Sequence, residues 1–211
     1  MSERELAAKV VAWLVDSHWT VYQEVSCGSC VADIVATQGP LLWVIECKKA
    51  LSLAVMEQAH RWRGCGHLIS VATPRASRRA SGRAFAEWAL EQAGIGTISV
   101  AGDFTREETK SRFDRRPSRL DWMRSSLREQ QKTYAPAGSA HGGHWTPFKE
   151  TCDSLRRKLQ AEGAPMRLKD LIASVRTHYQ SPSTARACLR HWIEQGKVGG
   201  VRIVDGMVSL A

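Results

Sequence analysis

Hydrophobic residues in the first half of the chain follow two different periods. Apolar residues recur every three or four positions from Leu6 to Leu14, which predicts a helix over residues 2–16, with Ser2 and Glu5 as a capping box at its start. The runs that follow are short and apolar, as strands are. Further strands are predicted at 20–25, 30–37, 41–48, 68–72 and 97–100, and further helices at 53–62 and 81–92. This order, αβββαβαβ, predicts an α/β fold with a mixed sheet flanked by helices.

No hydrophobic period continues between Asp103 and Trp145. Charged residues alternate at first, and the stretch 135–143 consists mainly of glycine, alanine and serine. This composition is typical of a flexible connection. We therefore predict a first domain that ends at residue 103, followed by a basic flexible linker over 104–145 with a short helix around 119–132.

The last segment regains a clear pattern. Apolar residues at helical spacing predict three helices, and Ser181 with Pro182 supplies the cap and first turn of the third. Two short strands then flank Asp205-Gly206, a dipeptide favoured in tight hairpin turns. Three helices and a terminal hairpin predict a winged helix over residues 146–211. The helices are expected around 148–159, 168–175 and 185–193, and the hairpin strands at 201–204 and 207–210.

Charge is distributed unevenly along the chain. The net charge of +9 divides into 0 for residues 1–103, +4 for 104–145 and +5 for 146–211. A basic half beside a neutral half indicates a polyanionic partner for the basic half; the alternative is a solvated basic surface without a partner. No apolar run approaches the ~20 residues of a membrane span, and the N-terminus has no signal-peptide pattern. We expect a cytoplasmic protein with no membrane partner, associated with the nucleoid when bound to DNA.

The six cysteines lack the dense spacing of a small secreted domain. Cys27-Gly-Ser-Cys30 is half of a zinc-binding pattern, which Cys65 and His67 could complete. A glycine-containing loop before a strand accounts for the same residues without a metal. The sequence leaves both interpretations open.

Three charged residues lie in or directly after apolar runs, where a charge costs free energy. Glu46 and Lys48 are two positions apart on a predicted strand and so point to the same face, and Asp33 lies on the neighbouring antiparallel strand. Two carboxylates and a lysine at a strand end suit phosphodiester hydrolysis. The carboxylates can hold a hard divalent cation, to which the backbone carbonyl of Cys47 can add an oxygen, and the lysine can stabilise charge on the phosphate.

The alternative is that Asp33 is a turn residue and that Glu46 and Lys48 form a surface ion pair. The flanking residues argue against it. Glu46 follows the apolar run Leu-Leu-Trp-Val-Ile, and Asp33 interrupts Cys-Val-Ala-Asp-Ile-Val-Ala. A charge within such a run costs free energy unless it is paired, hydrogen-bonded or coordinated to a metal.

Residues 3–72 resemble the PD-(D/E)xK nuclease superfamily, and most closely the Holliday-junction resolvases of the archaeal type. The resemblance rests on Glu-Arg-Glu-Leu at 3–6, Ala-Asp-Ile-Val-Ala at 32–36 and Ile-Glu-Cys-Lys at 45–48. It implies a restriction-endonuclease-like core. Those resolvases carry no winged helix, but the fusion of such a core to a winged helix resembles some restriction enzymes, including methyl-directed ones.

The resemblance also implies roles for individual residues. Asp33 and Glu46 would bind the metal, Lys48 would be catalytic, and an acid on the first helix would assist. Glu3 is the expected acid, because at 100° per residue it lies close to the apolar stripe whereas Glu5 lies well away from it. Gln58 occupies the position of a supporting glutamine near the metal, although an inert surface amide is an equal alternative.

The third helix of the winged helix carries cations off its apolar stripe. These side chains, with neighbours from the hairpin, could contact a major groove and its flanking phosphates. The candidate DNA-binding residues are Thr184, Arg186, Arg190, Lys197 and Arg202. Winged helices also act as protein-interaction modules, which is the alternative.

The sequence therefore predicts a Mg²⁺- or Mn²⁺-dependent DNA endonuclease whose winged helix engages DNA. The rival hypothesis is a catalytically silent DNA-binding or complex-assembly protein on a nuclease fold. The sequence does not choose between a monomer and a homodimer.

Overall fold

The computed structural model describes residues 1–75, 82–138 and 143–211. Contacts divide the chain into two compact units, a first unit of Met1–Trp145 and a second unit of Thr146–Ala211. No helix among the described residues is long and apolar enough to cross a membrane.

The first unit is built on one six-stranded mixed sheet. Its helices are α1 (Glu3–Asp16), α2 (Leu53–Arg61), α3 (Arg83–Gln92) and α4 (Leu120–Ser125), and its strands are β1 (Thr20–Cys27), β2 (Cys30–Gln38), β3 (Leu41–Cys47), β4 (Leu68–Pro74), β5 (Gly96–Ala101) and β6 (Phe104–Thr109). The strands lie in the order β1-β2-β3-β4-β5-β6. Strands β3, β4 and β5 are parallel to one another, and all other neighbours are antiparallel. The predicted α/β class with a mixed, helix-flanked sheet is confirmed.

Both faces of the central strands are buried. On one face Leu6 of α1 packs in a cluster with Ile45 of β3. On the other face Val55 of α2 and Leu90 of α3 pack in a cluster with Val44 of β3. Burial on both sides explains why β2 and β3 are almost continuously apolar. An ionisable residue in these strands therefore has to find its partners inside the protein or at the strand ends.

The predicted linker is wrong for the described part of residues 104–145. Strand β6 completes the sheet, Met123 of α4 is fully buried, and Gln131 in the 3₁₀ turn Glu129–Lys132 is also buried. Ala137 packs with the core on the α1 face. Residues 139–142 of the predicted flexible stretch lie outside the described residues. The pattern misled because β6 is an edge strand whose charged residues alternate in exposure without an apolar period, as edge strands often do.

The second unit contains the elements predicted for a winged helix. Its helices are α5 (Pro147–Glu162), α6 (Leu168–Ala173) and α7 (Pro182–Glu194), and its strands are β7 (Met166–Arg167), β8 (Val201–Val204) and β9 (Met207–Leu210). The strands form an antiparallel sheet in the order β7-β9-β8. Asp205 and Gly206 both have positive φ, as the tight turn between β8 and β9 requires. The short strand β7 was not predicted.

Candidate active site

Asp33 lies where β2 separates from β3. The paired register of these strands ends at Ile34 and Ile45, so Asp33 and Glu46 would form the next pair. There the Asp33 side chain replaces a backbone carbonyl as hydrogen-bond acceptor. Its Oδ2 accepts a hydrogen bond of 2.8 Å from the backbone N–H of Cys47. This bond fixes the carboxylate at the end of β3, next to Glu46.

Lys48 contacts Asp33, one of the two strand acids predicted to lie near it, and also Glu3, the acid expected from α1. Its Nζ is 3.2 Å from Oδ2 of Asp33 and 3.7 Å from Oε2 of Glu3. Its backbone N–H donates to the carbonyl of Ala72, which holds the residue beside β4. Burial lowers the pKa of Lys48, but the Asp33 and Glu46 carboxylates outweigh burial and raise the pKa overall. The lysine is therefore held as a cation among carboxyl groups.

Glu46 is only 3% exposed. Its Oε1 accepts a hydrogen bond of 2.5 Å from the indole Nε1 of Trp62, just past the end of α2. Burial, and then the nearby Asp33 carboxylate, raise the pKa of Glu46 to about 9. Two carboxyl groups thus share a buried space in which Lys48 supplies a single positive charge.

A small cavity of about 140 Å³ opens beside Glu46. Gln58 of α2 lines this cavity together with Glu46 and Trp62. The Oε1 atom of Gln58 is buried and has no hydrogen-bond partner among the described residues. A buried amide oxygen without a partner is costly, so this atom marks a place for a ligand, a water molecule or a cation.

The geometry distinguishes the two acids of α1. Glu3 reaches Lys48, whereas Glu5 takes part in the predicted capping box. Oε2 of Glu5 accepts a 2.7 Å hydrogen bond from the backbone N–H of Ser2. That bond is the main reason why the pKa of Glu5 is lowered. The helix phase derived from the apolar stripe therefore agrees with the structure.

Cys47 has its thiol on the opposite side of the sheet from Glu46. The thiol is buried in the cluster beneath α1, and only the backbone of Cys47 belongs to the site. Whether its carbonyl oxygen binds a metal stays a prediction. Within the described ranges, no group of three or more His, Cys, Asp or Glu side chains is arranged to hold a metal ion. The proposed donor set has only two such side chains.

The alternative zinc site gains no support. Cys27, Cys30 and Cys65 are free thiols, and Sγ of Cys27 lies 3.1 Å from the hydroxyl of Ser126. Burial raises the pKa of the Cys27 and Cys65 thiols, which disfavours the thiolates that zinc requires. His67 is engaged elsewhere, because its Nδ1 accepts the backbone N–H of Leu42 at 3.1 Å.

Two contacts of the site were not predicted. One is the bond from Trp62 to Glu46; the position of Trp62 four residues after Gln58, one helical turn away, is the signal that could have suggested it. The other involves Gly138, whose N–H donates to Oε1 of Glu24 at 2.7 Å. A Cβ on Gly138 would lie 2.7 Å from the carbonyl carbon of Glu3, so glycine allows this segment to cross the start of α1. No local pattern connects residues so distant in sequence.

The DNA-binding candidates of the second unit are all exposed. On α7 the residues Ala185, Leu189 and Ile193 are buried, and Arg186 and Arg190 lie beside that stripe on the solvent side. Among the described residues no ion pair involves Arg186, Arg190 or Lys197. Thr184 and Arg202 make hydrogen bonds to nearby serine hydroxyls.

Comparison with known proteins gives little guidance. No protein-family model matches the chain, and no curated protein matches it. A solved structure of a protein of unknown function from Silicibacter pomeroyi is similar, with a TM-score of 0.44 and 16% identity over 60% of this chain and 84% of that chain. A TM-score this low supports no argument about fold or function.

Proposed function

We propose that the first unit is a metal-dependent DNA endonuclease of the PD-(D/E)xK type, and that the second unit is a winged helix that engages DNA. The observation that carries this proposal is the meeting of Asp33, Glu46 and Lys48 at the end of β3. These are the residues that carry the resemblance, and Glu3 joins them from α1. Burying ionisable groups costs free energy, and clusters of such groups with shifted pKa values are typical of catalytic sites.

The charge balance of the site fits a divalent cation. The two neighbouring carboxyl groups have Lys48 as their cation, and Glu46 in this environment holds a proton at neutral pH. A hard divalent ion prefers oxygen ligands and would take the place of that proton. Asp33 and Glu46 would hold Mg²⁺ or Mn²⁺, with the carbonyl of Cys47 as a further oxygen. The unpartnered Oε1 of Gln58 lines the cavity beside Glu46, where it could bind water near the ion.

Hydrolysis adds water to phosphorus and breaks one P–O bond to a sugar, which leaves a phosphate monoester and a hydroxyl group. A bound divalent cation polarises the phosphate and lowers the pKa of a water molecule. Lys48 remains cationic and would stabilise the charge that develops on the phosphate oxygens. Asp33 orients Lys48 through their 3.2 Å contact. Glu3 would position the lysine from the other side.

The test is a cleavage panel with a matched pair of lysine variants. Supercoiled plasmid, linear duplex and four-way-junction DNA are incubated with the protein in Mg²⁺, Mn²⁺ or EDTA. Lys48→Ala should reduce the cleavage rate about a hundredfold or more, as the loss of a charge-stabilising group does. Lys49→Ala removes the same charge from an exposed neighbour and should leave the rate unchanged.

Undiminished cleavage in EDTA, or equal rates for the two variants, would contradict the assignment. Binding of all three DNAs without cleavage in either metal would favour the rival hypothesis, a catalytically silent DNA-binding or assembly protein.

A further inference from the structure

A groove of about 680 Å³ adjoins the candidate active site. It lies between the turn that joins β1 to β2, the end of α2 with the two residues after it, and the start of α4. The groove and the cavity beside Glu46 share four lining residues, Ser29, Cys30, Arg61 and Trp62. A molecule in the groove could therefore extend into the cavity beside Glu46.

The groove is positively charged. Three of its ten lining residues are arginines, Arg61, Arg63 and Arg119, and none is acidic. The Arg119 guanidinium donates to the backbone carbonyls of Arg61 at 2.6 Å and Arg63 at 2.5 Å, which fixes its position. Arg61 forms an ion pair with Glu57, the single one that it makes within the described part of the chain, and both side chains are largely exposed. Such a surface favours a polyanion.

An aromatic side chain forms one wall of the groove. Trp122 of α4 is 42% exposed, which leaves part of its indole accessible to a ligand. The guanidinium carbon of Arg119 lies 5.9 Å from the centre of its ring. Gly28 in the β1–β2 turn has φ +62, and a Cβ there would lie 3.1 Å from Cζ2 of Trp122. The turn thus accommodates the indole closely and helps to hold it in place.

We propose that this groove binds an unpaired segment of DNA next to the phosphate that is cleaved. A base would stack on the exposed part of the Trp122 indole, and its flanking phosphates would contact Arg61, Arg63 and Arg119. The proposal rests on the endonuclease function proposed above. Stacking on an aromatic side chain requires a base with a free face, which the bases within a duplex lack. The groove therefore favours DNA with an unpaired strand, such as a fork or flap, over a continuous duplex.

Binding of three labelled DNAs to the full chain in EDTA tests this proposal. The DNAs are a single strand, a duplex of the same sequence and a forked duplex. Trp122→Ala should weaken binding of the single strand and the fork roughly tenfold, since base stacking on an aromatic residue contributes on that order. Duplex affinity should be unchanged, because the bases within a duplex have no free face to stack on Trp122. Trp122→Phe should retain most of the affinity, which separates loss of stacking from loss of folding.

Trp88→Ala is the matched control, because Trp88 is 54% exposed on α3 and does not line the groove. Unchanged binding of the fork by Trp122→Ala, or an equal loss on fork and duplex, would overturn the proposal. The cleavage panel separates this outcome from failure of the endonuclease function. If the wild-type protein cuts DNA and Trp122→Ala cuts forks equally well, only the groove proposal is refuted. If the wild-type protein cuts no DNA but Trp122→Ala loses affinity for the fork and not for the duplex, the endonuclease proposal is refuted and the groove proposal stands.

Discussion

The two units carry nearly equal net charge but use their ionisable residues differently. The first unit has nineteen Lys and Arg against fifteen Asp and Glu, a net charge of +4, and the second has eleven against six, a net charge of +5. The first unit buries Glu24, Asp33 and Glu46, whereas Thr151 is the sole buried polar residue described in the second. Catalytic sites are typically built from buried ionisable groups with fixed partners, whereas binding of a polyanion requires exposed cations. Net charge alone would have hidden this division.

The largest effect is expected on stability, from ending the first unit at Asp103 instead of at Trp145. A chain that ends at Asp103 lacks β6 and the fully buried Met123, whose contacts alone are worth about 2–5 kcal/mol. Because a domain of this size is stable by only about 5–15 kcal/mol, we expect this fragment to lose cooperative unfolding. A chain that ends at Trp145 should keep it. Thermal unfolding followed by circular dichroism compares the two, and similar transitions would show that residues 104–145 are a linker after all.

A smaller effect is expected from the exposed cations of α7. Replacing both Arg186 and Arg190 with alanine should make the slope of log affinity against log salt less steep by about 1.8, at roughly 0.9 for each phosphate contact. The control is the pair Arg157→Ala and Lys158→Ala, which removes two cations already paired with Glu150 and Glu162 on α5. A salt titration of duplex binding in EDTA measures both. Equal slopes for wild type and the α7 variant would favour a protein partner for the second unit.

The smallest effect is expected within the first turn of α1. Glu3→Gln should lower the cleavage rate several-fold, because Glu3 helps to position Lys48. Glu5→Gln should leave the rate unchanged and slightly lower Tm. The pKa of Glu5 is lowered in the folded protein, so its stabilising effect is present at neutral pH and is lost as the pH falls below 4.5 and through the folded value. Rates and melting curves at pH 7 and pH 4 test both variants, and the reverse ranking of rates would contradict the geometry.

The sequence predicted those parts of the fold that depend on apolar periodicity. Elements α1 to β5 were found within a few residues of their predicted bounds, apart from Ser81 at the predicted start of α3, which lies outside the described residues. Strand β6 was missed because an edge strand with polar residues on both faces has no apolar period. Its place in the sheet depends on pairing with β5, which local sequence does not encode.

The candidate site was predictable to a similar extent. The strand pairing that brings Asp33 to Glu46 follows from a tight turn, and the proximity of Glu3 to Lys48 follows from helix phase. The groove beside the site was not predictable, because Arg119 and Trp122 belong to the segment interpreted as a linker. Their position depends on the packing of α4 against the core, a tertiary contact without a local signal.

The crossing of Gly138 over the start of α1 has a consequence for synthesis of the protein. Helix α1 is made before the rest of the first unit, but the Gly138 backbone that packs against Glu3 and bonds to Glu24 is made 135 residues after Glu3. Contacts between residues so far apart in sequence slow folding, because a long loop must close before they form. We therefore expect the nascent chain to carry an incomplete candidate site until almost all of the first unit has emerged, so that the proposed hydrolytic centre would form late in translation.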